Sequence, residues 1–164
     1  MKARLAFLLL GTLALASCGR SIKAIPIQEL RFQSIFASYP QHKNEEYCLE
    51  NTGFFRAPIT ENADSIIQGW IRQHPGAIAI PVATIDRDMS STFTFCWVIA
   101  GQDTLNNELV RKGCIPGSTM LGRSDRIDEK DYRKFIDQIK EAESQAQAGK
   151  RGIWNRPDSL NTVE

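Results

Sequence analysis

Apolar residues recur along this chain at two periods, close to two and close to 3.6, and the switches between them mark its elements. Over 27–38 the pattern partly alternates through Leu30, Phe32, Ser34 and Phe36, which predicts a strand. Tyr39-Pro40-Gln41-His42-Lys43-Asn44 reads as a turn, and 47–55 as one or two short strands around Gly53. A helix follows, because Ala63, Ile66, Ile67, Trp70 and Ile71 share one face at helical spacing. Thr60 is its expected N-cap, with Glu61 and Asp64 in the first turn, where the positive end of the helix favours anions. Pro75-Gly76 ends it.

Residues 77–85 are strand-like, and Asp86-Arg87-Asp88-Met89-Ser90 turns the chain. Over 92–100, Phe93, Phe95, Trp97 and Ile99 lie on one face and Thr94, Cys96 and Val98 on the other, so this strand is expected to be buried on both faces. Thr104 caps a short helix with Leu105, Leu109 and Val110 facing inward, and Gly113 supplies a left-handed stop. After a loop with Pro116, Gly117 and Gly122, a long helix carries Tyr132, Phe135, Ile136, Ile139, Ala142 and Ala146 in one stripe. Lys150 and Arg151 are expected in its last turn, Gly152 stops it, and Trp154 folds back on the body.

The order is strands, helix, two strands, short helix, long helix. A parallel α/β sheet needs alternation, which this order lacks; an α+β barrel with helices packed at one end fits. The chain has 164 residues, enough for one domain with a sizeable core. Its apolar share of 42% and charged share of 24% are those of a globular protein rather than a disordered one.

The N-terminus has a separate logic. Lys2 and Arg4 precede an apolar run over 5–16, too short to span a bilayer comfortably, that ends in Leu15-Ala16-Ser17-Cys18. Charge, apolar run, small residues and cysteine in this order resemble a bacterial lipoprotein signal. The resemblance implies removal of residues 1–17 and lipidation of Cys18, with 18–26 as a lipidated tether. Several acyl chains make such an anchor stable, since each buried methylene contributes about 0.8 kcal/mol. Gly19, rather than an aspartate, follows the cysteine; by the sorting habit of enterobacterial lipoproteins this implies the outer membrane, facing the periplasm. The domain then occupies 27–156, and 157–164 is a tail.

Loss of Lys2 and Arg4 leaves 18 basic residues against 19 acidic ones. Phosphate neutralisation supplies most nucleic-acid affinity, so this balance disfavours tight nucleic-acid binding while allowing a local patch. Cys48, Cys96 and Cys114 remain in the body, and an oxidising compartment suggests one disulfide, Cys48 with Cys96 or Cys114. No C-x-x-C and no Cys/His cluster at zinc spacing is present; His42 and His74 are expected to be structural or exposed, and no metal ligands are assigned.

The stretch Leu105-Asn106-Asn107-Glu108-Leu109-Val110-Arg111-Lys112-Gly113, the Ala-containing charged helix through Glu141-Ala142-Glu143-Ser144-Gln145-Ala146, and the ending Gly152-Ile153-Trp154 resemble the closing half of the staphylococcal nuclease (thermonuclease) family. The likeness covers roughly 92–155. It implies an OB-like five-stranded barrel with about three helices, and it brings the expectation of calcium-dependent hydrolysis of DNA and RNA. That chemistry uses aspartates for calcium, two arginines on the phosphate and a glutamate for the attacking water.

The upstream half departs from this pattern. The family motif Arg-x-x-Gly-Ile-Asp-Ala-Pro-Glu aligns with Gly53-Phe54-Phe55-Arg56-Ala57-Pro58-Ile59, placing Arg56 at the aspartate, Ile59 at the glutamate and Asn51 at the arginine. A register starting at Arg31 restores the arginine but places Tyr39 at the glutamate. Counting back without gaps from Leu109-Val110 puts Phe93 at the second arginine. No Asp-Gly-Asp-Thr string stands before residue 60. The remaining catalytic candidates are Arg56, Glu61 and Arg87.

Two functions follow. The first is a non-catalytic binding module on an envelope lipoprotein, without cofactor, taking an envelope protein or a polyanionic ligand. The second is a membrane-tethered, calcium-dependent nuclease using Arg56, Glu61 and Arg87. A structural lipoprotein of an envelope assembly is a third possibility.

Overall fold

The computed structural model describes residues 24–49, 58–86, 91–117 and 128–155. They form a curled mixed sheet with three α-helices, an α+β architecture. The strands are β1 (Ile25–Pro26), β2 (Arg31–Gln33), β3 (Phe36–Ser38), β4 (Glu45–Leu49), β5 (Ile78–Asp86), β6 (Thr92–Ala100) and β7 (Asp103–Thr104). The helices are α1 (Ala63–Gln73), α2 (Leu105–Arg111) and α3 (Glu129–Ala148). Strand order is β1-β5-β6-β4-β3-β2, with β7 on β6. Every pairing is antiparallel except β4 with β6.

The strand expected over 27–38 is broken twice. Ile27–Glu29 is a 3-10 turn, and the chain reverses at Ser34, whose φ is 58°, so β2 and β3 form a tight hairpin. The reversal buries Ile35 and Ala37. Ile25 and Pro26, expected in the tether, already pair with β5. The stretch from β1 to β2 therefore touches β5 at one end and β3 at the other, and so draws the two flanks of the sheet together. The edge of β2 is covered by α1: Ser34 N–H donates to Asp64 Oδ1 at 2.5 Å, and Gln68 Nε2 donates to the Phe32 carbonyl at 3.5 Å. An edge satisfied in this way no longer templates pairing with other chains.

α1 buries Ala63, Ile67 and Trp70 of the stripe its spacing predicts, with Ile66 and Ile71 half-buried beside them. Its N-cap is Asn62 rather than Thr60, without a side-chain bond; the Thr60 N–H instead donates to the Cys114 carbonyl and ties the entry of α1 to the exit of α2. β6 is buried on both faces, as its two-sided apolarity predicts. Trp97 on β6 packs at 3.9 Å between ring centroids against Phe135 and stacks with Tyr132 at 6.0 Å, which fixes α3 to the sheet. α3 buries Phe135, Ile139, Ala142 and Ala146. It ends at Ala148, so Lys150 and Arg151 lie beyond its last turn. Lys150 turns left-handed at φ 48°, and the Arg151 guanidinium donates to the Arg111 carbonyl at the end of α2.

α2 is placed by its cap and by one buried amide. Thr104 Oγ1 accepts from the Asn107 N–H at 3.1 Å, as expected. Asn106 is wholly buried: its Oδ1 accepts from the Val98 N–H at 3.0 Å and its Nδ2 donates to the Cys96 carbonyl at 3.3 Å. These backbone groups lie where β4 has ended at Leu49, opposite Cys96, and β7 has not yet begun opposite Ile99. The Asn106 side chain thus bonds the β6 backbone between Leu49 of β4 and the start of β7.

Cys48, Cys96 and Cys114 are buried thiols in the structure, not the expected disulfide. In the parallel β4–β6 register Cys48 pairs with Phe95, and Cys96 with Leu49. Neighbouring residues of a strand point to opposite faces, so the Cys48 and Cys96 side chains leave on different sides of the sheet. Burial also raises the pKa of Cys114 above its ordinary value.

Candidate functional site

One cross-strand row builds a groove on the sheet. Arg31 pairs with Ser38, Ser38 with Glu46, Glu46 with Phe93, and Phe93 with Ile85, so these five side chains share one face across five strands. Four inter-strand steps of about 4.8 Å make the row about 19 Å long. In the next row along the same face, Gln33 and Phe36 pair, followed by Cys48, Phe95 and Ala83. The groove over these rows has a volume of about 820 Å³ and also takes in Ser34 and Ala37.

Its chemistry is zoned. Phe93 is buried in the floor with its ring 5.8 Å from Phe36, edge to face, and 5.3 Å from Phe95. Ile85, 41% exposed, continues the apolar end. Arg31, Gln33, Ser34 and Ser38 supply a polar end with one cation, and Glu46 stands between the two zones. Such a surface can hold a ligand with an apolar part and hydrogen-bonding groups.

A polar cluster on the β3–β4 hairpin lies on the other face. Tyr39 Oη bonds Glu29 at 2.7 Å and Gln41 at 2.9 Å, and Tyr47 Oη donates to Glu45 at 2.5 Å. His42 Nδ1 lies 3.0 Å from the same Glu45 oxygen. Burial, then the bond to Glu45, pushes the Tyr47 pKa well above its ordinary value, and the bond to Glu29 raises that of Tyr39. Both phenols therefore stay protonated as hydrogen-bond donors, and the cluster clips the hairpin rather than supplying a nucleophile.

Burial disfavours the charged form of Glu45, but hydrogen bonds from Tyr47 and His42 outweigh it and hold the carboxyl below its ordinary 4.5. Glu108 is also lowered: burial opposes its charge, but Arg111 and Lys112 prevail, the latter at 3.3 Å. A carboxylate whose folded pKa is depressed stabilises above the unfolded value and loses that contribution as pH falls through the folded one. Urea midpoints should therefore fall as pH drops from about 5 toward 3, and Glu108→Gln should flatten that fall. An equally steep decline in the variant would contradict this assignment.

Of the catalytic candidates singled out in the sequence, only Glu61 falls among the described residues. Glu61 is exposed in the turn before α1 and does not line the groove. Arg56, Arg87 and Cys18 lie outside the described residues. His74 is structural: it stacks on Trp70 at 4.1 Å with Nδ1 2.9 Å from the Trp70 carbonyl. His42 is half-exposed beside Glu45. Among the described residues no group of three or more His, Cys, Asp or Glu side chains is placed to hold a metal ion, and no helix is long and apolar enough to cross a membrane. Sequence reasoning missed Arg31, Ser38, Glu46 and Ile85 as groove residues because their proximity comes from strand pairing. The available signal was Ile85, an apolar residue at the edge of a turn.

Fold and groove define an α+β protein with a curled sheet that presents one row of mixed chemistry. The sequence matches no protein-family model and no curated protein.

Proposed function

We propose that this protein is an envelope lipoprotein, anchored through Cys18, whose domain is a degenerate staphylococcal nuclease-like barrel acting as a non-catalytic binding module. The strand order supports an OB-like reading. The stretch from β1 to β2 serves as one first strand bonded on both flanks, β4 and β6 are the parallel pair, and α1 enters between β4 and β5. OB-like barrels bind extended ligands on the second and third strands and the adjoining turns. Here those are β3, β4, the Ser34 turn and the β5–β6 end, which is where the groove lies.

The observation that carries the non-catalytic reading is Phe93. Counted back without gaps from Leu109-Val110, the nuclease-like pattern asks for a phosphate-binding arginine at this position. The side chain present is a phenyl ring in the groove floor, packed on Phe36. A ring cannot stabilise charge on a phosphorane, and loss of one such donor costs about a hundredfold or more in rate.

The test is the mature protein incubated with single-stranded DNA and calcium. No cleavage above a buffer control is expected. Calcium-dependent cleavage that disappears on chelation and in Arg87→Ala would establish the nuclease reading instead.

A further inference from the structure

The direction in which the chain enters the sheet bears on how the groove is presented. β1 runs antiparallel to β5, with Pro26 opposite Ile78 and Ile25 opposite Ala79. Going backwards from Ile25, the chain therefore heads along the edge of β5 toward its C-terminal end. That end carries Ile85, paired with Phe93 in the groove row.

Tether and strand match in length. Six residue steps separate Cys18 from Ala24, a reach of about 20 Å when extended. β5 from Ile80 to Asp86 also spans six steps, about 20 Å. An extended tether of this length, leaving in the direction set by the register, has the reach to place its anchor level with the last residues of β5. The opposite end of the sheet, with the Gly101-Gln102 turn between β6 and β7, lies behind the point of exit.

We propose that the anchored protein sits with the groove end of its sheet against the bilayer, so that the groove row meets the phospholipid headgroup layer. This rests on the Cys18 anchor proposed above. The row suits that position. Ile85 is exposed, at 41%, and can enter the apolar side of the headgroup region, while Arg31 at the other end of the row faces headgroup phosphates. The groove is then open to ligands at the membrane surface, and the β6–β7 turn faces the aqueous compartment.

The experiment uses the full-length acylated protein in phosphatidylethanolamine–phosphatidylglycerol vesicles. A single cysteine is added at Ser38→Cys in the groove row or at Gln102→Cys in the far turn, each labelled with a donor fluorophore. Cys48, Cys96 and Cys114 are at most 4% exposed and stay unlabelled in the folded protein. Energy transfer to an acceptor on lipid headgroups is measured, and acylation of Cys18 is followed by radiolabelled palmitate in the same preparations. The expected result is acylation with several-fold higher transfer from position 38 than from position 102. Acylation with equal or reversed transfer would overturn the orientation and leave the anchor standing. Absence of the acyl label, with the same result in Cys18→Ser, would overturn both.

Discussion

Gly113→Ala is expected to destabilise the domain by about 3–5 kcal/mol, whereas Gly101→Ala should cost only about 1 kcal/mol. Both glycines are left-handed, at φ 69° and 63°. An alanine pays the same conformational penalty at each, so the difference isolates packing. A Cβ at Gly101 meets nothing within 4 Å. At Gly113 it would stand 2.2 Å from the Arg151 carbonyl oxygen and 2.7 Å from its carbon. These are backbone atoms of the segment that closes the fold, so no side-chain rotation relieves the clash. The reciprocal contact is as tight: a Cβ on Gly152, at φ 52°, would lie 2.0 Å from the Gly113 carbonyl oxygen. The Ile153 N–H donates to that same oxygen at 2.9 Å, so separating the two segments also breaks the bond that seats Ile153. Urea denaturation of the two variants checks the claim; equal midpoints would show that the close approach contributes nothing.

Asn106→Leu should cost about 2–5 kcal/mol, although leucine keeps the branched shape of asparagine and is apolar. The loss comes from what remains behind. Both the Val98 N–H and the Cys96 carbonyl bond Asn106 between β4 and β7, and the loss of a buried hydrogen-bond partner costs about 1–3 kcal/mol for each. Asn106→Asp gives a sharper test. As a carboxylate it keeps the bond from Val98 but sets a charge against the Cys96 carbonyl in a fully buried site. As a neutral acid it can donate to that carbonyl. Its folded pKa should therefore rise above the unfolded value of about 3.9. With the folded pKa raised, this group's contribution is fully present below the unfolded pKa and lost as pH rises through the folded one. The aspartate variant should approach the parent near pH 4 and fall well below it at pH 8. A pH-independent deficit, equal to that of leucine, would mean the two hydrogen bonds are not what holds α2 to β6.

These predictions change the meaning of the terminal motifs. Asn106, Gly113 and Gly152 carried the nuclease-like resemblance, and each has a structural reason to be what it is. Asn106 ties α2 to the β6 backbone, and the two glycines let backbones touch. They specify a scaffold and do not by themselves supply chemistry. The groove residues are of another kind, since Arg31, Ser38, Glu46, Phe93 and Ile85 share no local motif.

The legible parts of the sequence were those governed by neighbours three or four residues apart, or two. The apolar stripes of α1 and α3, the two-faced burial of β6, the Thr104 cap and the left-handed Gly113 all follow from local geometry. The first strand was misread because alternation from Leu30 to Phe36 carries no sign of a reversal at Ser34, which is held by Asp64 some 30 residues away. Thr60 looked like a cap by composition, but α1 begins at Ala63 with Asn62 as its N-cap, and the Thr60 N–H ties the approach to the Cys114 carbonyl of a distant loop. The disulfide followed from compartment and cysteine count, and the strand register set Cys48 and Cys96 on opposite faces.

By itself, the sequence determined the three helices, the buried faces of α1, β6 and α3, the Thr104 cap and the stop at Gly113, because each depends on a period or a turn that a few adjacent residues fix. Only the tertiary structure decided which side chains meet. The groove row takes one residue from each of five strands, and the junction of Gly113 with Gly152 joins segments 39 residues apart. Such meetings depend on strand order and register, which come from packing the whole chain at once and leave no periodic trace along it.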